Sequence, residues 1–324
     1  MKTIKIGLLG LGNIGTGTYK TLEMNRSEIE STLNAKVEIV KILERDTERD
    51  RGITVPKEKF TSDPDEIFQD PEIDIVIELL GGIEPATTFM LSALKNGKHV
   101  VTANKAALAA NYHELINTAK ENNVILRFEA SVGGGIPILG TLTGPLRANK
   151  FEEVMGILNG TTNYILTMMT KEGLDYETAL KDAQEQGFAE ADPTADVEGI
   201  DAANKLTILM ALIFDKYVAP KDIPTTGITE ITKEKIEEAR SNGCKIKLIA
   251  HAWRDENDEI KYEVRPMYIS ATHPLANINK EFNAVFVKGN AVDDVMFYGK
   301  GAGPLPTGSA VLGDVIDISM MILK

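Results

Sequence analysis

Six residues near the N-terminus, Gly10-Leu11-Gly12-Asn13-Ile14-Gly15, constrain this chain more than any other feature. They follow a short apolar run at residues 4–9 and precede a helical pattern carried by Ile14, Tyr19, Leu22 and Ile29. A strand, a glycine turn and a helix in that order supply the context that gives G-x-G-x-x-G its meaning. Gly10 permits the tight turn, Gly12 lets backbone approach a pyrophosphate, and Gly15 lets the helix pack on the strand. The helix N-terminus then points amides and a partial positive charge at phosphates. The bland alternative is a glycine-rich strand-to-helix turn with no ligand.

Further along, residues 37–43, 73–80, 99–102 and 124–130 read as strands, with helical periodicity at 87–96 and 106–122. Strands alternating with helices predict an α/β domain of Rossmann type, a parallel sheet wound on both faces. A breaker cluster, Gly133-Gly134-Gly135-Ile136-Pro137, marks the boundary of a first domain at 1–132. The second domain, 133–304, mixes helices (136–146, 164–171, 176–186, 200–214) with strands (154–158, 246–253, 262–269, 284–289, 294–298). Its late strands follow one another without long helices, which predicts an α+β domain with an open, largely antiparallel sheet. A last helix at 309–323 is apolar enough to need a docking surface. It is expected to return to the first domain, completing 1–132 with 305–324.

At 324 residues, 43% of them hydrophobic, the chain can build two cores without staples. A formal net charge of −13 argues against nucleic acid, which is bound through clustered Lys and Arg. Cys244 is the lone cysteine, which fits a reducing compartment. The N-terminal apolar run is cut by Gly10 and Gly12 and lacks a cleavage site. No stretch shows the roughly 18 consecutive apolar residues expected of a membrane span. A soluble, cytoplasmic protein without membrane or nucleic-acid partners is expected.

Chemistry enters with lysines and acids. Thr102-Ala103-Asn104-Lys105 follows a strand of the first domain, and ligands in such folds sit beyond the carboxyl ends of strands. A lone lysine is otherwise a surface charge. The end of the second strand, Leu43-Glu44-Arg45-Asp46, offers a carboxylate for a ribose hydroxyl and, in Arg45, a guanidinium for a 2′-phosphate. The balance leans slightly to NADP over NAD. Asp201 and Lys205 stand four apart on one helix face. Exposed, such a pair is worth only about 0.3–0.5 kcal/mol. Here the helix continues almost wholly apolar, and a charged pair entering a core normally lines a cleft. Upstream, Glu190, Asp192, Asp196 and Glu198 crowd a loop beginning at Gly187. Acids this dense can be a solvated loop, a metal site, or a receiver for a substrate ammonium.

The run from Gly187 to Lys205 closely resembles the signature of homoserine dehydrogenases. So do Thr102 to Lys105, Glu129-Ala130-Ser131-Val132-Gly133-Gly134-Gly135-Ile136-Pro137, Asn159-Gly160-Thr161-Thr162-Asn163-Tyr164, and Gly301-Ala302-Gly303 followed by Pro306-Thr307. The resemblance covers the whole chain. It implies NAD(P)-dependent interconversion of L-aspartate 4-semialdehyde and L-homoserine, in threonine and methionine biosynthesis. Lys205 would be the proton donor, with Lys105 beside nicotinamide and substrate. Gly187, Glu190 and Asp201 would contact substrate, with Asp196 among the same acids. Asn13, Ile14, Lys105 and Gly303 would contact the cofactor, alongside Gly10, Gly12, Gly15, Arg45 and Thr102. Glu129, Val132, Gly134 and Ile136 would hold a monovalent cation, Na+ or K+, mostly through backbone carbonyls. The resemblance further implies a homodimer joined through the second domain's sheet. Many relatives carry a C-terminal ACT domain, and the chain is expected to stop before one.

Hydride transfer to an aldehyde leaves negative charge growing on oxygen, which a lysine ammonium can stabilise and protonate. In reverse, a neutral lysine takes the hydroxyl proton. With a reference pKa near 10.4, that needs burial or a second cation, a part Lys105 could play. Two other readings stand beside this one: a dehydrogenase of similar layout acting on a sugar or an imine, and a catalytically idle NAD(P)-sensing module. Fold alone does not separate them.

Overall fold

A computed structural model describes residues 2–324. The chain divides into two compact units, Met1–Gly135 with Ala302–Lys324, and Ile136–Gly301.

The first unit opens with β1 (Thr3–Leu9), α1 (Asn13–Met24), α2 (Arg26–Leu33) and β2 (Lys36–Leu43). It continues through β3 (Phe60–Thr61), α3 (Asp65–Phe68), β4 (Ile75–Glu78), α4 (Ala86–Lys95), β5 (His99–Thr102), α5 (Lys105–Ala110), α6 (Tyr112–Glu121) and β6 (Leu126–Arg127). Among the described residues its strands form one sheet, ordered β3-β2-β1-β4-β5-β6, with every pairing parallel. Ile4, Ile6, Leu8 and Leu9 of β1 are all buried, as a strand covered on both faces requires. The strand order reverses between β1 and β4, so the crevice beyond their C-terminal ends is where such folds bind ligands.

Three expectations are corrected here. The helical pattern after the glycine turn is two helices, because Asn25 leaves helical geometry (φ −117°, ψ 18°). Residues 106–122 break likewise at Asn111, whose side-chain amide folds back onto the Ala107 carbonyl at 3.2 Å. The strand expected at 124–130 pairs only over Leu126–Arg127 and then tightens into a 3₁₀ turn, Glu129–Ser131.

The C-terminal helix, Pro304–Ile322, belongs to this unit and begins earlier than the periodicity predicts. Glycines set its approach to α1. A Cβ on Gly17 would lie 2.2 Å from the Pro304 carbonyl oxygen, and one on Gly308 would lie 2.8 Å from Thr18 N. Val311, Leu312, Val315 and Ile318 join the same core as β1 and β2. By length and composition this helix is long and apolar enough to cross a membrane, which corrects the expectation that no stretch qualifies. Asp314 and Asp317 interrupt its apolar run.

The second unit contains α7 (Leu139–Thr143), β7 (Phe151–Ile157), α8 (Gly160–Glu172), α9 (Tyr176–Glu185), α10 (Thr194–Val197), α11 (Ile200–Ile213) and α12 (Lys233–Ser241). Four strands follow: β8 (Cys244–Arg254), β9 (Ile260–Ser270), β10 (Phe282–Gly289) and β11 (Asp293–Lys300). The sheet is ordered β11-β10-β7-β8-β9 and every pairing is antiparallel. Helices α8, α11 and α12 pack against β8. The helix expected at 136–146 shrinks to five residues, since Pro137, Gly140, Gly144 and Pro145 all disfavour a longer one. Helix α12 was not anticipated; its composition is mostly charged, and only Ile236 and Ala239 are buried.

Candidate active site

In the first unit the glycine turn has the conformation its sequence asks for. Gly10 sits at φ +92°, a left-handed region that glycine enters without strain. A Cβ on Gly15 would lie 2.2 Å from the Gly10 carbonyl oxygen, so only glycine lets α1 start so close to the turn. A Cβ on Gly12 would meet nothing within 4 Å. That open space, beside a helix start with no side-chain cap, fits a pyrophosphate approaching bare backbone amides. Asn13 and Ile14 are the first two residues of that helix. Gly303 caps the C-terminal helix at φ +117°.

Glu44 is turned onto this loop. Its Oε2 accepts from Leu11 N at 3.0 Å, and its Oε1 accepts from Arg45 N at 2.8 Å and Asp46 N at 3.1 Å. Arg51 pairs with it at 3.3 Å and also donates from Nε to the Leu11 carbonyl at 2.7 Å. Burial works to raise the Glu44 pKa, but those amides and the Arg51 guanidinium outweigh it and hold it below the ordinary value. The carboxylate expected to face a ribose thus braces the turn. Arg51 stands forty residues from the loop it ties down, outside any local motif.

Thr102 ends β5, fully buried. Its hydroxyl donates to Glu78 Oε2 at 2.7 Å and accepts from Asn104 N at 2.9 Å, so its side chain anchors the loop. Asn104 caps α5 by accepting from Ala107 N at 3.1 Å, and Lys105 is the first residue of that helix. Glu78, which no sequence motif flagged, is wholly buried. Burial pushes its pKa up, partly offset by the hydroxyl of Thr102 and the amides of Leu80, Asn104 and Gly81.

The second unit gathers Lys205, Asp201, Asp196 and Asn159. Gly199, left-handed at φ +83°, caps α11 and starts it beside Thr225 and Val264. Asp201 in the first turn and Lys205 one turn later then fall on one face of a helix whose middle, Leu206 to Met210, is buried and apolar apart from Thr207. Lys205 is 8% exposed and Asp201 6%. Lys205 Nζ reaches Asp201 Oδ2 at 2.7 Å and the Leu158 carbonyl at 2.6 Å. Asn159, the N-cap of α8, accepts from Thr162 N at 2.9 Å. Its amide donates to Asp196 Oδ1 at 2.7 Å and Asp201 Oδ2 at 2.9 Å. Burial raises the Asp196 pKa, opposed by Asn159 and reinforced by the nearby charge of Asp201. Gly187 (φ +76°) and Glu190 lie exposed on the loop after α9, outside this hydrogen-bonded cluster. That loop is tied to α8 where Thr161 donates to the Phe188 carbonyl at 2.5 Å. Asn159 could have been found from its position at a strand-to-helix junction, the usual place for a capping asparagine.

Of the residues expected at a cation, Glu129, Val132 and Gly134 belong to the first unit and Ile136 to the second. Gly133 and Gly134 are both left-handed, at φ +75° and +56°. The histidines serve local structure: His99 Nδ1 accepts from Ile125 N at 3.0 Å, and His273 Nδ1 from Leu275 N at 3.1 Å.

Comparison with known proteins identifies the family. A family model described as homoserine dehydrogenase matches residues 137–316, and one described as homoserine dehydrogenase, NAD binding domain, matches residues 10–129. The homoserine dehydrogenase of Bacillus subtilis (strain 168) is 45% identical over 98% of this chain and 73% of its own length. Among solved structures, a homoserine dehydrogenase from Thiobacillus denitrificans superposes with a TM-score of 0.95 at 43% identity, covering 99% of this chain and 74% of the other. A hyperthermophilic archaeal homoserine dehydrogenase in complex with NADPH is 25% identical with a TM-score of 0.82, covering 98% of each chain. The chain belongs to the homoserine dehydrogenase family, NAD(P)-dependent oxidoreductases that act on a CH–OH group.

Proposed function

We propose that this protein interconverts L-aspartate 4-semialdehyde and L-homoserine, as a cytoplasmic enzyme of threonine and methionine biosynthesis, with Lys205 as the group that moves the proton. The buried Lys205–Asp201 pair carries the reading. A charged pair held 2.7 Å apart, both members under a tenth exposed, is an expensive core feature that chemistry justifies. A nicotinamide supplies hydride to the substrate carbon or accepts it back. Lys205 gives its proton to the carbonyl oxygen as the alkoxide forms, and takes it back in the reverse direction. Asp201 and the Leu158 carbonyl fix the ammonium's direction, and Asn159 keeps Asp196 and Asp201 apart. Lys105 contacts cofactor and substrate. Gly187, Glu190 and Asp196 complete the substrate contacts, Glu190 receiving the amino group.

The cofactor is held by Gly10, Gly12, Asn13, Ile14 and Gly15 at its pyrophosphate, with backbone of Thr102 and Gly303 nearby. Arg45 receives a 2′-phosphate, so NADP is favoured, though NAD fits the same turn. Glu129, Val132, Gly134 and Ile136 hold a monovalent cation. The chain acts as a homodimer through the second unit's sheet. By strand register Met296 and Tyr298 of the edge strand β11, 38% and 54% exposed, share a face with Phe286 and Met155, which are buried against Leu275, Ala276 and Ile278.

The test is NADPH oxidation on adding L-aspartate 4-semialdehyde. Oxidation with that substrate and none with sugars or imines is expected; turnover of a sugar or imine alone would replace the reading. Binding of NADPH without any turnover would favour a sensing module.

A further inference from the structure

We propose that Glu78 is a positioning residue, welding the loops after β4 and β5 into one piece and so setting Lys105; this rests on the role given to Lys105 above. Glu78 is the last residue of β4 and fully buried. A buried carboxylate is costly unless donors surround it, whereas an apolar side chain of the same size would fill the space without that cost. The donors here come from two different loops. Leu80 N donates to Oε1 at 2.8 Å from the loop after β4. From the other side, the Thr102 hydroxyl donates to Oε2 at 2.7 Å, with the Asn104 amide 3.5 Å from Oε1. Asn104 closes the ring by donating to the Gly82 carbonyl at 2.7 Å while its Oδ1 caps α5 at Ala107 N. Lys105 is the next residue in the chain. Its backbone therefore cannot shift without disturbing bonds that converge on Glu78, and a misplacement of about 1 Å at a reacting group can cost on the order of 100-fold.

Glu78→Gln keeps the volume and the acceptor for Leu80 N. It turns an NH2 group on the Thr102 hydroxyl, which already accepts from Asn104 N. In the protein without cofactor, amide hydrogen exchange at Asn104 and Ala107 should quicken. With L-homoserine and NADP+, kcat should fall about tenfold while KM stays within about threefold. In a Lys105→Met background, Glu78→Gln should lower kcat by less than about twofold more, because the group it positions is gone. Thr102→Val loosens the same weld from its other side and serves if Glu78→Gln does not fold. Unchanged exchange and kcat, or an equal proportional loss in the Lys105→Met background, would overturn the proposal. If the wild type leaves NADP+ unreduced with L-homoserine, the reading of the reaction falls, and the exchange rates still decide the weld.

Discussion

Lys205 enters the core with its countercharge attached, and that pairing determines what neighbouring substitutions should do. Glu190 stands outside the hydrogen-bonded cluster and exposed, free to meet a ligand's ammonium. Glu190→Leu should raise KM for L-homoserine roughly tenfold with little change in kcat, since it removes an interaction made in ground and transition states alike. Steady-state kinetics checks this; an unchanged KM contradicts it. At the glycine turn, Glu44 is committed to amides and Arg51, which leaves Arg45 as the side chain on that strand end suited to a phosphate. Arg45→Ala should weaken NADPH about tenfold and NADH less than about twofold, read by fluorescence titration. The sequence made Gly10, Gly12, Gly15, Asp201 and Lys205 legible because their spacing is local. Arg51 and Glu78 were not, because each acts on a partner 40 or 24 residues away.

Among the elements, the contact between α1 and the C-terminal helix is the one most dependent on sequence detail. Gly17 faces the Pro304 carbonyl, where a Cβ would lie 2.2 Å from oxygen and backbone would have to move. Gly17→Ala should therefore destabilise the protein by about 1–3 kcal/mol despite alanine's better helix propensity. Urea unfolding measures this, and a variant as stable as the wild type contradicts the packing. Element types followed from periodicity, strand against helix, over most of the chain. Boundaries failed where one polar residue decides them. Asn25 and Asn111 break patterns that stay apolar at the right intervals on both sides. Residues 136–146 kept helical periodicity while four glycines or prolines ruled out a long helix.

At the scale of the whole molecule, stability should carry the signature of a buried lysine. Lys247 is 2% exposed, and donates to Asn163 Oδ1 at 2.9 Å and the Ile278 carbonyl at 2.5 Å. Burial, with the charges of Lys245 and Lys171 adding to it, pushes its pKa down to about 7 from 10.5. Above pH 7 the unfolded chain holds this proton and the folded one releases it, so stability rises with pH up to the unfolded value. Below pH 7 both states are charged and the full penalty remains. Lys247→Met should remove up to about 1.4 kcal/mol per pH unit of that slope between roughly pH 7 and 10. Parallel slopes for variant and wild type in urea unfolding would show that the lysine stays charged. The two-unit architecture was readable from alternation in one half and strand succession in the other, but the buried lysine was not, because β8 reads simply as a strand.

The proton role of Lys205 is tested most directly by Lys205→Met, which keeps the length and apolar stem of the side chain. Rapid mixing of the NADPH-bound variant with L-aspartate 4-semialdehyde should show oxidation slowed by about 10²–10⁴, with NADPH affinity unchanged. Oxidation at the wild-type rate with the lysine gone would contradict the account.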